Sequence, residues 1–328
     1  MKKLLISAVA ALAALAFAGV ASAQVLLLDV PGFGSYNWLR TLKAAPANPK
    51  PILVRHTTVS AYEQTTVRPV LWRQGCAAAG QGMNGVVVLD FGKPAYNGHA
   101  YGTILFSGRF ASNHRITLAM LAYGQGYAHC LPDGSPLHVT LARGTSNYHP
   151  AVPSAYAAGR KWARETTALG HYLYAENIDQ HVWTAAADDA EPAWDPGFTQ
   201  TYRFYQGYRS AGNGRTLYDY GSLDGGVGTI WKAWQAYYVS GGMTYAQVLP
   251  EIYTRAQARE WATLARVVQV RYHGVVRFAG VLTQHTPGCR CSLLPADAHN
   301  ALVRELAAHG AGMSPVPWGG SNMGNYFD

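Results

Sequence analysis

Between residues 86 and 310, short apolar runs alternate seven times with segments of helical period, joined by short connections. That alternation constrains the chain to an α/β fold, a parallel sheet whose crossovers are helices. Val86-Val87-Val88-Leu89-Asp90 is apolar without a break and then ends in an acid. A strand buried on both faces reads this way. Further strands are expected at 137–142, 182–191, 216–220, 236–240, 247–253 and 276–284. Helices are expected at 113–129, 199–208, 227–234 and 296–308. Another is capped by Ser154, and another is opened by a Thr254/Gln257 capping box.

The length of this region suits a (β/α)8-type, TIM-like barrel, which takes about 250 residues. Seven strands are assigned and the eighth is not, so the expectation includes an incomplete or irregular barrel. An open doubly wound sheet is the alternative. No G-x-G-x-x-G follows any strand, which leaves the dinucleotide-binding version of that sheet without support. The expected organisation is an N-terminal extension at 24–80, the barrel at 81–312 and a Gly-, Pro- and Asn-rich flexible tail at 313–328.

The first 23 residues read as a secretory signal peptide. Lys2 and Lys3 precede an apolar run, and Ala21-Ser22-Ala23 offers a cleavage site before Gln24. No other stretch approaches the ~20 apolar residues of a membrane span, so no stable membrane insertion is expected after cleavage. The 328-residue chain carries a net charge of +8, of which the leader accounts for two. A basic exported protein is drawn to anionic wall polymers. The charge is dispersed rather than interleaved with aromatics, so nucleic acid is not expected as a partner.

Four cysteines, Cys76, Cys130, Cys289 and Cys291, suggest two disulfides in an exported chain, with three possible pairings. Cys289 and Cys291 stand too close to bond comfortably to each other. Each is expected to reach elsewhere, with Cys76 and Cys130 as the partners. No His or Cys stands at metal-site spacing, and no metal or other cofactor is expected.

The chemistry is expected at the C-terminal strand ends. In Asp188-Asp189-Ala190-Glu191 the period-2 alternation of a strand puts Asp189 and Glu191 on one face. Crowded acids hold different proton affinities, which lets an acid and a carboxylate coexist. Glu191 is the candidate acid, with Asp189 and Asp90 as candidates for the second role. Asp188 should face away and pair with an arginine or a backbone N–H. Arg143, Asn147, Tyr148, Trp194, Tyr220, Glu251, Tyr253 and Gln284 are the candidate substrate-binding residues. With 21 tyrosines and 9 tryptophans, the chain has rings to spare for stacking on sugars. Asp224-Gly225 reads as a turn. The twelve histidines form no H-E-x-x-H, and no G-x-S-x-G elbow or Walker loop is present.

Strand-end Asp90 followed by Asp189-Ala190-Glu191-Pro192 resembles the Asp plus D-x-E arrangement of glycoside hydrolase family 25, the lysozyme-type barrels. Ala142-Arg143-Gly144-Thr145-Ser146-Asn147-Tyr148 and Leu249-Pro250-Glu251-Ile252-Tyr253 are similar to segments of a group of glycoside-hydrolase-like barrels in secreted bacterial proteins. Ala187, two before Asp189, departs from the family 18 motif and speaks against a chitinase. The resemblance implies a secreted glycoside hydrolase that cuts peptidoglycan or another extracellular polysaccharide, with Glu191 as acid supported by Asp189 and Asp90. The competing expectation is a non-catalytic barrel that binds wall glycans through its aromatics. A third is a metal-dependent hydrolase using Asp90, Asp189 and a histidine.

Overall fold

The uninterrupted apolar run at Val86 becomes an inner strand of a parallel sheet, with a neighbour on each side. The computed structural model describes residues 58–60, 65–148, 152–285, 292–317 and 319–323. These belong to one unit that begins at Ile52. The expected signal peptide, the start of the N-terminal extension, Cys289 and Cys291 lie outside the described residues.

The chain opens with β1 (Thr58–Ser60), α1 (Arg68–Gly80) and β2 (Gly85–Asp90). β3 (Lys93–Tyr96), β4 (Tyr101–Ile104) and β5 (Phe110–Ser112) then form a small antiparallel sheet. α2 (Asn113–Cys130), β6 (Val139–Gly144), α3 (Ala155–Ala175), β7 (Val182–Asp188), α4 (Thr199–Ala211) and β8 (Leu217–Asp219) follow. α5 (Ala233–Tyr237) runs on into a π-helical turn, Tyr238–Gly242. β9 (Ala246–Val248), α6 (Arg255–Arg271), β10 (Val281–Thr283), α7 (Pro295–Ala308) and β11 (Gly320–Asn322) complete the order.

β1, β2, β6, β7, β8 and β9 form one sheet in that order, each parallel to the next. Parallel bridges at Val248–Phe278 and Glu251–Leu282 tie the β9 region to that of β10, and β10 pairs with β11. β11 in turn lies beside β1. Both faces of the sheet are buried, as its apolar composition requires. Val87, Leu89, Leu141, Ala186 and Leu217 pack into the layer that holds the helices. Val86, Val88, Ala142, Ala185, Ala187, Tyr218 and Tyr220 gather on the other face with Leu249, Leu282 and Met323.

Local signals act where they were expected. Ser154 Oγ accepts from the Ala157 N–H, and Thr254 and Gln257 close a capping box ahead of α6. α1 and α2 cross at backbone contact. A Cβ on Gly126 would stand 1.9 Å from the Trp72 carbonyl oxygen, so only glycine permits the approach. A disulfide between Cys76 and Cys130 fastens the same two helices, with Cα atoms 5.0 Å apart. This corrects the expected pairing of each with Cys289 or Cys291. Cross-linking two packed helices needs close Cα atoms, and the α1–α2 crossing supplies them.

Four other expectations are revised. Residues 58–80 are not an appendage, since β1 and α1 are integral to the sheet and its helical layer. Residues 236–240 are helical rather than extended. Ala236, Val239 and Ser240 are buried at helical spacing, and the Ser240 hydroxyl donates to the Ala236 carbonyl oxygen. An apolar run this short fits either period. No helix fills 227–232. The tail also contributes structure: Ser314 Oγ accepts from the Val276 N–H, β11 pairs with β10, and Met323 is buried. Among the described residues no helix is long and apolar enough to cross a membrane.

Candidate active site

Strand alternation carries Asp90 to the end of its strand and Asp189, Tyr220, Glu251 and Gln284 past the ends of theirs, two residues beyond Val88, Ala187, Tyr218, Leu249 and Leu282 on the helix-free face. Pairing outlasts β6 and β7 by a few residues. The Asp189 N–H donates to the Thr145 carbonyl oxygen at 2.7 Å, and the Asn147 N–H donates to the Asp189 carbonyl oxygen at 3.1 Å. Glu251 is held likewise, its N–H donating to the Gly221 carbonyl oxygen at 3.3 Å.

Asp189, Glu191 and Glu251 converge, with one carboxylate oxygen of each within 4.8 Å of the others. Asp189 and Glu251 are almost fully buried, while Glu191 is half-buried and reaches solvent. No Lys, Arg or His nitrogen lies within 4 Å of the three among the described residues. This is the one set of His, Cys, Asp or Glu atoms among those residues close enough to share a cation. Protons can neutralise the cluster as well, and the surroundings favour them. Burial pushes the Glu191 carboxyl up to about 7, with the Asp224 charge adding to it. Burial likewise lifts Glu251 to about 8, against a lowering hydrogen bond from Tyr253. Asp189 rises well above the carboxylate range through burial, then through Glu251, Glu191 and Asp90.

Asp90 adjoins the cluster without joining it. Burial raises its carboxyl only to about 6, because the Gly92 N–H donates to Oδ1 at 2.8 Å and Tyr220 adds a hydrogen bond. Those bonds favour the charged form. The Thr145 carbonyl oxygen, 3.0 Å from the Tyr220 hydroxyl, is an alternative acceptor for its single proton.

The loop that carries Glu191 is fixed by side chains from three directions. Asn147 Nδ2 donates to the Glu191 carbonyl oxygen, and Asn147 Oδ1 accepts from the Glu191 N–H. Asp219 accepts from the Ala190 and Gly221 N–H groups. Asp224 accepts from the Ala193 N–H at 2.7 Å. Gly221 is required here, since a Cβ would stand 2.7 Å from the Ala190 carbonyl oxygen. Asp224 does sit in a turn, as expected, the Gly226 N–H donating to the Leu223 carbonyl oxygen, and its carboxylate holds the loop as well; Asp219 is not among the residues expected at the site. The signal for Asp219 was its place at a strand end, where it registers against Asp188.

Other expected site residues lie elsewhere. Arg143 shares its face with Leu141 and points under the helices, fully buried. Its guanidinium stacks on Trp162 at 4.3 Å and donates to Thr117 Oγ1 and to the Asn113 carbonyl oxygen. It cannot reach the cluster, which corrects its expected role. Asp188 does not pair with an arginine or a backbone N–H either; it is fully buried and neither oxygen has a hydrogen-bond partner. Burial and the neighbouring Asp219 keep it protonated far above the usual carboxylate range. Tyr148 and Trp194 are 41% and 39% exposed, free enough to stack, and Lys93 Nζ sits 5.3 Å from the centre of the Tyr148 ring. Gln284 is half-buried just past β10.

No protein-family model, curated protein or solved structure matches the chain.

Proposed function

We propose that the protein is an exported glycoside hydrolase of cell-wall or extracellular polysaccharide, built as a (β/α)8-type barrel. The parallel order from β1 to β9, the bridges on to β10 and β11, and the β11–β1 contact support closure of the barrel. The cystine supports an oxidising compartment and hence export through the expected leader.

The observation that carries the reading is the convergence of Asp189, Glu191 and Glu251 at strand ends with no cationic partner among the described residues. Glycosidic cleavage needs one carboxyl that gives a proton to the leaving oxygen and a carboxylate that faces the developing oxocarbenium charge. Glu191, the member that reaches solvent, donates the proton. Asp90, the most readily ionised of the group, supplies the negative charge. Asp189 lies electrostatically between them and, with Glu251, stays protonated beneath Glu191. Trp194 and Tyr148 offer rings for the sugar.

The test is release of reducing ends from insoluble peptidoglycan by the wild type and by Glu191→Gln. A positioned acid contributes about 10²–10⁴-fold, and a loss of that size at unchanged melting temperature is expected. Equal cleavage by the variant overturns the assignment. Loss of wild-type activity on chelation would instead give the three carboxylates to a cation. The exposed Trp194 and Tyr148 also favour a second reading, a glycan-binding barrel without catalysis. It predicts retention on peptidoglycan with no reducing ends released.

A further inference from the structure

We propose that the cavity between the start of α1, the β4–β5 turn and the start of α2 binds an oxyanion group of the polymer cut at the carboxyl cluster. The substrate is then an anionic polysaccharide, an inference that rests on the hydrolase reading above. The cavity holds about 210 Å³ and is lined by Thr65, Thr66, Ser107, Arg109, Phe110 and Arg115, among others. Both arginines are exposed, and neither guanidinium has a carboxylate within 4 Å among the described residues.

The charge around the cavity is one-sided. Arg115 stands in the first turn of α2, where the helix dipole is already positive and no acid is present. Arg109 adds a second cation from the adjoining turn. An arginine at a helix start is unfavourable by itself, and nothing described in the chain offsets it. A bound oxyanion would, through guanidinium N–H groups and the Thr65, Thr66 and Ser107 hydroxyls. The Phe110 ring gives the carbon skeleton of a sugar an apolar wall. The volume exceeds that of several water molecules, at about 30 Å³ each, and so suits a carboxylated or phosphorylated sugar unit.

The position fits one polymer engaging both places. β2 ends at Asp90, and the β3–β5 excursion leads from there to the start of α2. α2 then returns to the start of β6, which is parallel to β2. The start of α2 therefore shares an end of the sheet with the carboxyl cluster.

The test measures binding by the full chain carrying Glu191→Gln, so that the readout does not depend on hydrolysis. The probes are polygalacturonate, neutral dextran and inorganic phosphate. Adding Arg109→Ala and Arg115→Ala should weaken polygalacturonate binding by about tenfold or more and flatten its salt dependence. Adding Arg271→Ala and Arg304→Ala, exposed on α6 and α7, removes the same charge and should change it less than twofold. Dextran binding should be equal in all three. Inorganic phosphate should compete for polygalacturonate only where Arg109 and Arg115 are present. Equal weakening by both double variants, or by neither, overturns the proposal. So does binding of inorganic phosphate alone, which would leave a free-anion site. Hydrolysis that survives such a failure leaves the proposed function standing, and polygalacturonate binding that survives a failed hydrolysis test leaves the pocket standing.

Discussion

Asn147 grips the backbone of Glu191 on both sides, donating from Nδ2 to its carbonyl oxygen at 2.9 Å and accepting its N–H at 3.2 Å on Oδ1. The same Nδ2 donates to Thr201 Oγ1, which donates to Asp195 Oδ2 at 2.9 Å. A residue first expected to touch substrate is thus fully buried and holds the acid's main chain in place.

Asn147→Ala should therefore act through position. Misplacing a reacting group by about 1 Å can cost on the order of 10²-fold, and a fall of that order in kcat with KM little changed is expected. The Glu191 N–H and carbonyl oxygen lose their partners, which should also lower stability by about 1–3 kcal/mol. Steady-state kinetics beside thermal unfolding check both. A raised KM with kcat intact would return Asn147 to substrate binding.

The activity should show a narrow optimum in pH. Asp90 rises only to about 6 and Glu191 to about 7, so carboxylate and acid coexist chiefly between those values. The rate should climb as pH rises through about 6, while Asp90 ionises. It should fall as pH passes about 7, while Glu191 loses its proton. A profile of kcat/KM from pH 4 to 9 checks this, and a plateau extending past pH 8 would remove Glu191 as the acid.

Stability should fall as pH rises across the same region. Asp90, Glu191, Glu251 and Asp219 are all raised, to between about 6 and about 8. Unfolded carboxyls ionise near pH ~4, so between ~4 and about 8 the unfolded chain binds fewer protons than the folded one. The stabilisation is complete below ~4 and is lost as pH climbs through the folded values. The melting temperature should thus be higher at pH 5 than at pH 8 by at least a few °C, on the order of the shift that ~1 kcal/mol gives. Asp188→Asn, which cannot ionise, should make the slope shallower. A wild-type melting temperature that increases toward pH 8 contradicts the argument.

Local order was readable in the chain. The Ser154 cap, the Thr254/Gln257 box and the α2 and α6 periodicities depend on residues within a turn of one another. The proximity of Asp189 and Glu191 is also local, since two residues of near-extended chain can hardly part their side chains. Glu251 was picked out at its strand end but not as the third carboxyl, because sixty residues separate it from Glu191 and only sheet register joins them. Arg143 lies away from the strand-end acids because strand alternation gives it the face of Leu141, and that face is the helical one.

The sequence by itself determined most of the helices and inner strands, their α/β alternation and an acidic strand end, because periodicity and capping act over a few residues. Tertiary structure alone decided that Cys76 bonds Cys130, that Gly320–Asn322 pairs with β10, and which acids meet. These depend on where distant segments come to rest. The burial that lifts the carboxyls belongs to that arrangement too, since desolvation depends on everything packed around a group and not on its neighbours in the chain.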